Sequence, residues 1–433
     1  MTDAAEAMPD ERAAADIVAE VDRGFDEQLA FTRALVRHPS LRGREHTAQE
    51  AVHEALRARG YVLDRWRIDV DEISAHPGFS PVDVSYETAI NVVATHTPRR
   101  AQGRSLILNG HVDVVPPGPR GMWARPPWEA EVEGDWLYGR GAGDMKAGLV
   151  ANIFALDAIR RAGFEPAATV YLQSVTEEEC TGNGALAALV RGYRADAALI
   201  PEPSGHALVR GNVGVLWFRV RVSGHPVHVR EAGAGANAIE AGFGVVQALR
   251  ALEAGLNAEK DRHPGWEEVD HPINLNIGRI AGGDWASSVP AWCDMDFRLA
   301  VYPDDDPARV ARLVEERISA AARDHPYLSN NPPEVTWNGF FARGYRLDEG
   351  SEAEATLAAA HRAVHGTGLG AEMATAYLDA RVFMLYDDCP ALVYGPRAEN
   401  IHGFDERVSL ASVREVTRTI ALFTARWCGL NRL

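Results

Sequence analysis

Cysteine is scarce, with four in 433 residues: Cys180, Cys293, Cys389 and Cys428, widely spaced and without a C-x-x-C pair. That argues against a disulfide framework or a cysteine-held zinc and fits a reducing, cytoplasmic setting. Positive charge is also short, with 44 Lys and Arg against 61 Asp and Glu, a formal net charge of -17. Nucleic acid and anionic membrane both demand concentrated cations, so neither is an expected partner. No stretch approaches the roughly 18 consecutive apolar residues of a membrane span. The acidic, Ala-rich segment 1–26 has neither the basic nor the apolar region of a leader. Repeats and low-complexity tracts are missing too.

What is present is ordinary globular material, 46% hydrophobic and 24% charged, in a chain long enough for two domains. Helical spacing of apolar residues runs over 11–36 and 47–59. Strands are expected at 90–95 and 105–108, a helix at 147–161, a strand at 169–175, a helix at 184–192 and a buried strand at 197–200. This alternation predicts an α/β domain with a mostly parallel sheet and helices on both faces. After Pro203 the pattern becomes strand 215–222, helix 236–254, strands 273–280 and 292–301, helix 307–322 and strand 334–337. The order β-α-β-β-α-β is that of a ferredoxin-like α+β sandwich. Past a loop expected around 338–346, helical and strand patterns resume. The chain therefore reads as a discontinuous α/β domain, 1–208 and 339–433, interrupted by a smaller domain at 209–338. The insert leaves a sheet edge that Arg219 and Arg221 do little to block, so edge pairing into a homodimer is expected.

Five segments carry chemistry. In LILNGHVDVVPPG, His111 and Asp113 stand at i and i+2, so on a strand end they point the same way. That suits a metal-binding imidazole whose second nitrogen is held by a carboxylate. In YGRGAGDMK the glycine-rich loop lacks the Gly-Lys-Ser/Thr ending of a phosphate loop, and Asp144 would repel phosphate. Asp144 is thus a metal bridge or a helix cap. Glu177, Glu178 and Glu179 follow an apolar strand, where three carboxylates repel one another unless they are solvated or neutralised by cations. Glu202 sits between prolines at another strand end, and His402 closes a loop that follows a strand. Two divalent cations with Asp144, Glu179, Glu202 and one hydroxide would be neutral, which suits a half-buried site. Mixed His and carboxylate ligands without thiolates favour catalytic zinc, with cobalt or manganese as alternatives.

Together these motifs resemble the dinuclear metallopeptidase and deacylase family that includes acetylornithine deacetylase, succinyl-diaminopimelate desuccinylase, aminoacylase and glutamate carboxypeptidase. The resemblance runs over nearly the whole chain. LILNGHVDVVPPG, VLWFRVRVSG and GGDWASSVPAWC are most similar to the acetylornithine-deacetylase-like deacylase branch, which also contains formylaminopyrimidine deformylases. It implies a zinc-peptidase catalytic domain with an inserted dimerisation (lid) domain. His111 and Glu202 would hold one zinc, Glu179 and His402 the other, with Asp144 bridging and the Asp144–Met145 peptide cis. Asp113 would orient His111, and Glu178 would be the general base. His228, ending SGHPVH, would reach across the dimer to polarise the scissile carbonyl, with His225 as the competing assignment. Arg298 and Arg381 match positions where relatives bind a substrate carboxylate, although Arg381 could equally pair with Asp379. There are departures: Ala147 replaces a glycine, Glu177 a common aspartate, and Ser287 an asparagine that contacts substrate in desuccinylase-like members.

The implied reaction is amide hydrolysis of a small N-acyl amino acid or N-acylated amine by a hydroxide bridging two metals. Glu178 would take the water proton and pass it to the departing amine. A dipeptidase or carboxypeptidase, a deformylase, and another carbon–nitrogen hydrolase such as an aminohydrolase are the alternatives. A catalytically silent scaffold predicts loss of Glu178, a metal ligand or His228, and all are present.

Overall fold

The computed structural model describes residues 11–433; the first ten, the start of the acidic segment noted above, lie outside them. A six-stranded sheet centres the larger unit. Its strands β1 (Val62–Arg67), β2 (Ile90–His96), β3 (Leu106–His111), β4 (Val170–Val175) and β5 (Ala198–Ile200) lie in the order β1-β2-β4-β3-β5, and Ala391–Val393 completes the β5 side. From β4 to that last strand all pairings are parallel, while β2 joins β4, and β1 joins β2, antiparallel. Parallel strands are covered on both faces, and all six residues of β3 are buried.

Helices α1 (Glu11–Val36), α2 (His46–Ala58), α3 (Ala147–Arg161) and α4 (Asn183–Val190) surround this sheet. Twelve of the fifteen residues of α3 are buried, as expected for a helix apolar nearly all round. Gly148 in α3 is required by contact: a Cβ there would stand 2.1 Å from the Pro201 carbonyl oxygen. A Cβ at Gly395 would stand equally close, 2.1 Å, to the Glu202 carbonyl oxygen. These two close approaches hold the loop after β5 between the start of α3 and the segment that follows Ala391–Val393.

The insert is a separate apolar cluster. Its elements β6 (Gly214–Ser223), α5 (Ala238–Asn257), β7 (Leu275–Gly282), β8 (Trp292–Val301), α6 (Pro307–Arg323) and β9 (Glu334–Ala342) form an antiparallel sheet ordered β7-β8-β6-β9. That is the ferredoxin-like arrangement. Asn237 and Asp306 cap α5 and α6 by accepting backbone N–H bonds, and Pro307 occupies the first turn of α6.

Three expectations are corrected. The final strand of the insert continues to Ala342, so a boundary at 338/339 would cut it; Phe340 and Ala342 are buried and sustain the strand. Leu208–Asn212, unrecognised in the sequence, pairs with Tyr345–Arg346 and Ala371–Ala374, outside the insert's sheet. Arg219 and Arg221 lie on β6, an interior strand, where they pair across to Asp296 and Asp294 on β8, at 2.6 Å in each case. They have no role at an edge.

Candidate metal centre

The chemical residues converge at the carboxyl ends of β3, β4 and β5, where open α/β sheets place ligands. His111 is the last residue of β3, and Asp113 lies past the strand's end. Strand alternation therefore explains only half of the pair. His111 Nδ1 faces the Asp113 backbone carbonyl at 2.9 Å, with the Asp113 carboxylate at 3.5 Å. The other Asp113 oxygen accepts the Glu179 N–H at 3.0 Å, so Asp113 braces the β3 loop against the β4 loop.

His111 Nε2 is surrounded by carboxylates, with Asp144 at 3.3 Å, Glu202 at 3.5 Å and Glu178 at 3.8 Å. On the other side, His402 Nε2 meets Glu179 at 3.2 Å and the second oxygen of Asp144 at 3.3 Å. Two triads result, His111–Asp144–Glu202 and Asp144–Glu179–His402, each with its ligand atoms within 4.8 Å and sharing Asp144. One imidazole nitrogen carries at most one proton, so it cannot satisfy three carboxylates by hydrogen bonding. The edges of a tetrahedron about zinc, with ligands at roughly 2.0–2.1 Å, are about 3.3 Å, close to these separations. Glu202 Oε1 and Asp113 Oδ1 are buried without a hydrogen-bond partner. The donor set therefore fits two divalent cations.

Electrostatics agree. Burial, aided by neighbouring acids, raises Glu178 well above its ordinary value, raises Glu179 and pushes Glu202 up to about 8. Burial works against charge on the two histidines, yet Glu202 and Glu178 raise His111, and Glu179 and Asp144 raise His402 to about 11. Asp144 falls despite its burial, because His111 and His402 flank it. A cluster this acidic calls for cations.

Surrounding contacts hold the loops. Glu406, which the sequence reading missed, accepts the N–H groups of Gly143 and Asp144 at 3.0 and 3.2 Å and is itself paired with buried Arg140. The Asp144–Met145 peptide is cis, as expected. Glu177 points away from both triads, with its backbone at φ 67°. Its carboxylate takes both arms of Arg42, at 2.7 and 2.9 Å, and the Tyr86 hydroxyl at 2.6 Å. Asp379, read from the sequence only as a partner for Arg381, is buried with Tyr377 at 3.0 Å and one oxygen unpaired, and burial pushes it up to about 7.

The triads open on a cavity of about 520 Å³ lined by Asp144, Glu178, Glu179, Glu202 and His402 on one side. The insert contributes Trp217, Asn276, Arg298 and Phe340, and Tyr377 closes the wall. Arg298 donates to the Thr375 carbonyl at 2.9 Å, and burial lowers it to about 10, which leaves it charged at neutral pH. Among the described residues no carboxylate pairs with it. Ser287 and His228 are exposed on the insert, in adjoining loops, and neither lines this cavity.

Arg381 is a correction. Its side chain is buried and outside the cavity, and it donates to the carbonyls of Arg343 (2.9 Å) and Gly78 (3.4 Å) and to the Tyr386 hydroxyl (3.0 Å). Three of its five N–H groups are thus engaged by the chain itself, away from the cavity. The alternative pairing with Asp379 is not formed.

Comparison with known proteins places this geometry in context. The model of a family described as peptidase family M20/M25/M40 matches residues 107–426. The N-formyl-4-amino-5-aminomethyl-2-methylpyrimidine deformylase of Halalkalibacterium halodurans is 28% identical, over 96% of this chain and 98% of its own. The deformylase of the same name from Bacillus subtilis is 30% identical, over 76% of this chain and 80% of its own. Among solved structures, the di-peptidase Dug1p of Saccharomyces cerevisiae superposes with a TM-score of 0.77 at 16% identity, covering 96% of this chain and 98% of that one.

Proposed function

The chain belongs to peptidase family M20/M25/M40, and from that membership we propose a metal-dependent deacylase that cleaves the amide of a small N-acyl amino acid or N-acylated amine. The observation that carries this reading is the pair of triads sharing Asp144 on the wall of a cavity, with Glu178 beside them and in neither. His111, Asp144 and Glu202 would hold one divalent ion, and Asp144, Glu179 and His402 the second, with zinc favoured by the mixed donor set. Such ions, when bound, acidify water and polarise a carbonyl oxygen.

The chain's own residues do the rest. Glu178, buried and facing the cavity, takes the proton of the attacking water and hands it to the leaving nitrogen. Asp113 holds His111 and the Glu179 backbone in register. Arg298, a cation without a carboxylate partner, binds a carboxylate or other electron-rich group of the substrate. Trp217, Phe340 and Tyr377 form an aromatic wall that excludes water and packs against the amine portion. The two deformylases act on a substrate whose name contains a pyrimidine, which such a wall also suits.

His228 serves a second copy's cavity in this proposal, since it lies outside the cavity of its own chain. The insert, taken as the dimerisation unit, exposes Val229, Phe243, Ile280 and Trp285, the last 73% exposed, and these large apolar side chains give a partner subunit something to bury. Ser287 lies in the loop beside His228, so it would meet substrate only from that same side. No helix among the described residues is long and apolar enough to cross a membrane, and the four free cysteines accord with a cytoplasmic setting.

A screen of the zinc- and cobalt-loaded enzyme against formyl, acetyl and succinyl amines and short dipeptides tests the reading. Release of a simple carboxylic acid is expected. Turnover confined to dipeptides would overturn it.

A further inference from the structure

A second cluster of ligating side chains lies away from the cavity, behind the loop that carries Glu202. His206 is four residues beyond Glu202; His361 and His365 are one turn apart on α7 (Glu352–His365); Glu415 stands on α8 (Leu410–Cys428). The His206 and His365 rings are 4.5 Å apart, and His361 stacks on His365 at 4.3 Å. His206 Nε2 is 3.7 Å from the Glu415 carboxylate. Ligand atoms of His206, His365 and Glu415 all fall within 4.8 Å of one another. Tyr394 contacts His361 at 2.9 Å and His365 at 3.1 Å, Ser412 contacts His206 Nε2 at 2.6 Å, and the Arg418 guanidinium acts on His365 from nearby.

Three imidazoles packed this closely cannot all carry charge. Burial lowers His206 and His361, and burial with the two neighbouring histidines and the Arg418 cation brings His365 down to about 4. Neutral imidazole is the form that ligates a metal. The His206 backbone is held at φ 71°, a conformation uncommon outside glycine, by an N–H bond to the Gly395 carbonyl at 3.0 Å. That conformation turns the ring toward α7 and α8.

We propose that His206, His365 and Glu415 form a third metal site, taking one zinc ion, distinct from the triads around Asp144. Two imidazoles and a carboxylate are a zinc donor set that leaves a fourth position for water. Tyr394 is the hydrogen-bonding group that orients the α7 histidines, as outer partners orient metal-binding imidazoles. Glu415, with a side chain 39% exposed, provides the entry from solvent. An ion there ties the Glu202 loop to α7 and α8.

The test is metal content. The chain, and its His365→Ala and Glu415→Lys variants, are incubated with excess Zn²⁺, desalted and analysed by mass spectrometry of the bound metal. Each variant is expected to hold one equivalent less than the parent. Equal content in parent and variants overturns the proposal. Should His365→Ala fail to fold, Glu415→Lys, a half-exposed position, decides alone: loss of one equivalent supports the site and retention refutes it. The difference between parent and variant does not depend on how many ions sit around Asp144, which Asp144→Asn reports separately.

Discussion

Replacing Arg381 with leucine separates a structural arginine from a substrate-binding one. The guanidinium ties together the residue after β9 (Arg343), the Gly78 loop and the end of its own helix at Tyr386. Two of its bonds, at 2.9 and 3.0 Å, are well formed, and the third, at 3.4 Å, is weak. Charged hydrogen bonds contribute about 1.5–3 kcal/mol each, and leucine removes the two well-formed ones, so a loss of roughly 3–5 kcal/mol is expected. Leucine refills much of the volume, which keeps the cavity contribution small. Urea unfolding of parent and variant reads the stability. Steady-state kinetics on matched N-acyl amino acids and N-acyl amines lacking the carboxylate read the specificity. The midpoint should fall markedly, while the ratio of kcat/KM between the two substrate types stays within about twofold. An unchanged midpoint combined with a selective loss on carboxylate substrates would refute the reasoning.

The same substrate pair should respond in the opposite way to Arg298→Leu. Losing a charged bond worth about 1.5–3 kcal/mol raises KM for the carboxylate-bearing substrate by roughly 10- to 100-fold, whereas an equal effect on both substrates would count against a carboxylate site. Glu178→Gln should retain its metal, measured by elemental analysis, and lose about 10²- to 10⁴-fold in turnover; near-normal turnover in the metal-loaded variant would sink its role as base. His228→Ala should lower kcat with metal content unchanged, and mixing it with Glu178→Gln under subunit exchange should restore activity. No recovery on verified exchange would argue against a shared site. Chelation should lower the thermal midpoint, because ions bound only by the folded chain stabilise it by mass action, about 2.7 kcal/mol at a hundredfold excess over Kd. A midpoint indifferent to chelator would contradict the two-triad reading.

Legibility in the sequence followed the range of the interaction. His111, Glu179 and Glu202 could be read because each follows an apolar run whose periodicity marks a strand, and a strand's carboxyl end is a place for ligands. Asp113 was read correctly as a neighbour of His111 but for an incomplete reason: the strand stops at His111, and the closest contact is backbone. Arg381 failed because position along the chain says nothing of direction, and only the fold reveals that its donors turn inward to Arg343 and Gly78. Glu406 and Asp379 carried no local signal of a place at the site. One braces a loop more than 250 residues earlier in the chain, and the other is noticed there only through its burial beside Tyr377.

The substrate wall was illegible for a stronger reason, which also bears on how relatives differ. Val215 and Trp217 come from β6, Asn276 from β7, Arg298 from β8 and Phe340 from β9, so every strand of the insert's sheet contributes, while the metal donors come from the larger unit. Neither unit alone encloses the cavity. Substitutions on one face of the insert's sheet can therefore recast the substrate-facing wall without touching His111, Asp144, Glu179, Glu202 or His402. The metal donors can thus stay fixed, with the carbon–nitrogen hydrolysis of the family, while the acyl and amine groups accepted vary. That division explains why the ligand motifs point to a reaction class while the substrate has to be read from side chains scattered over four strands.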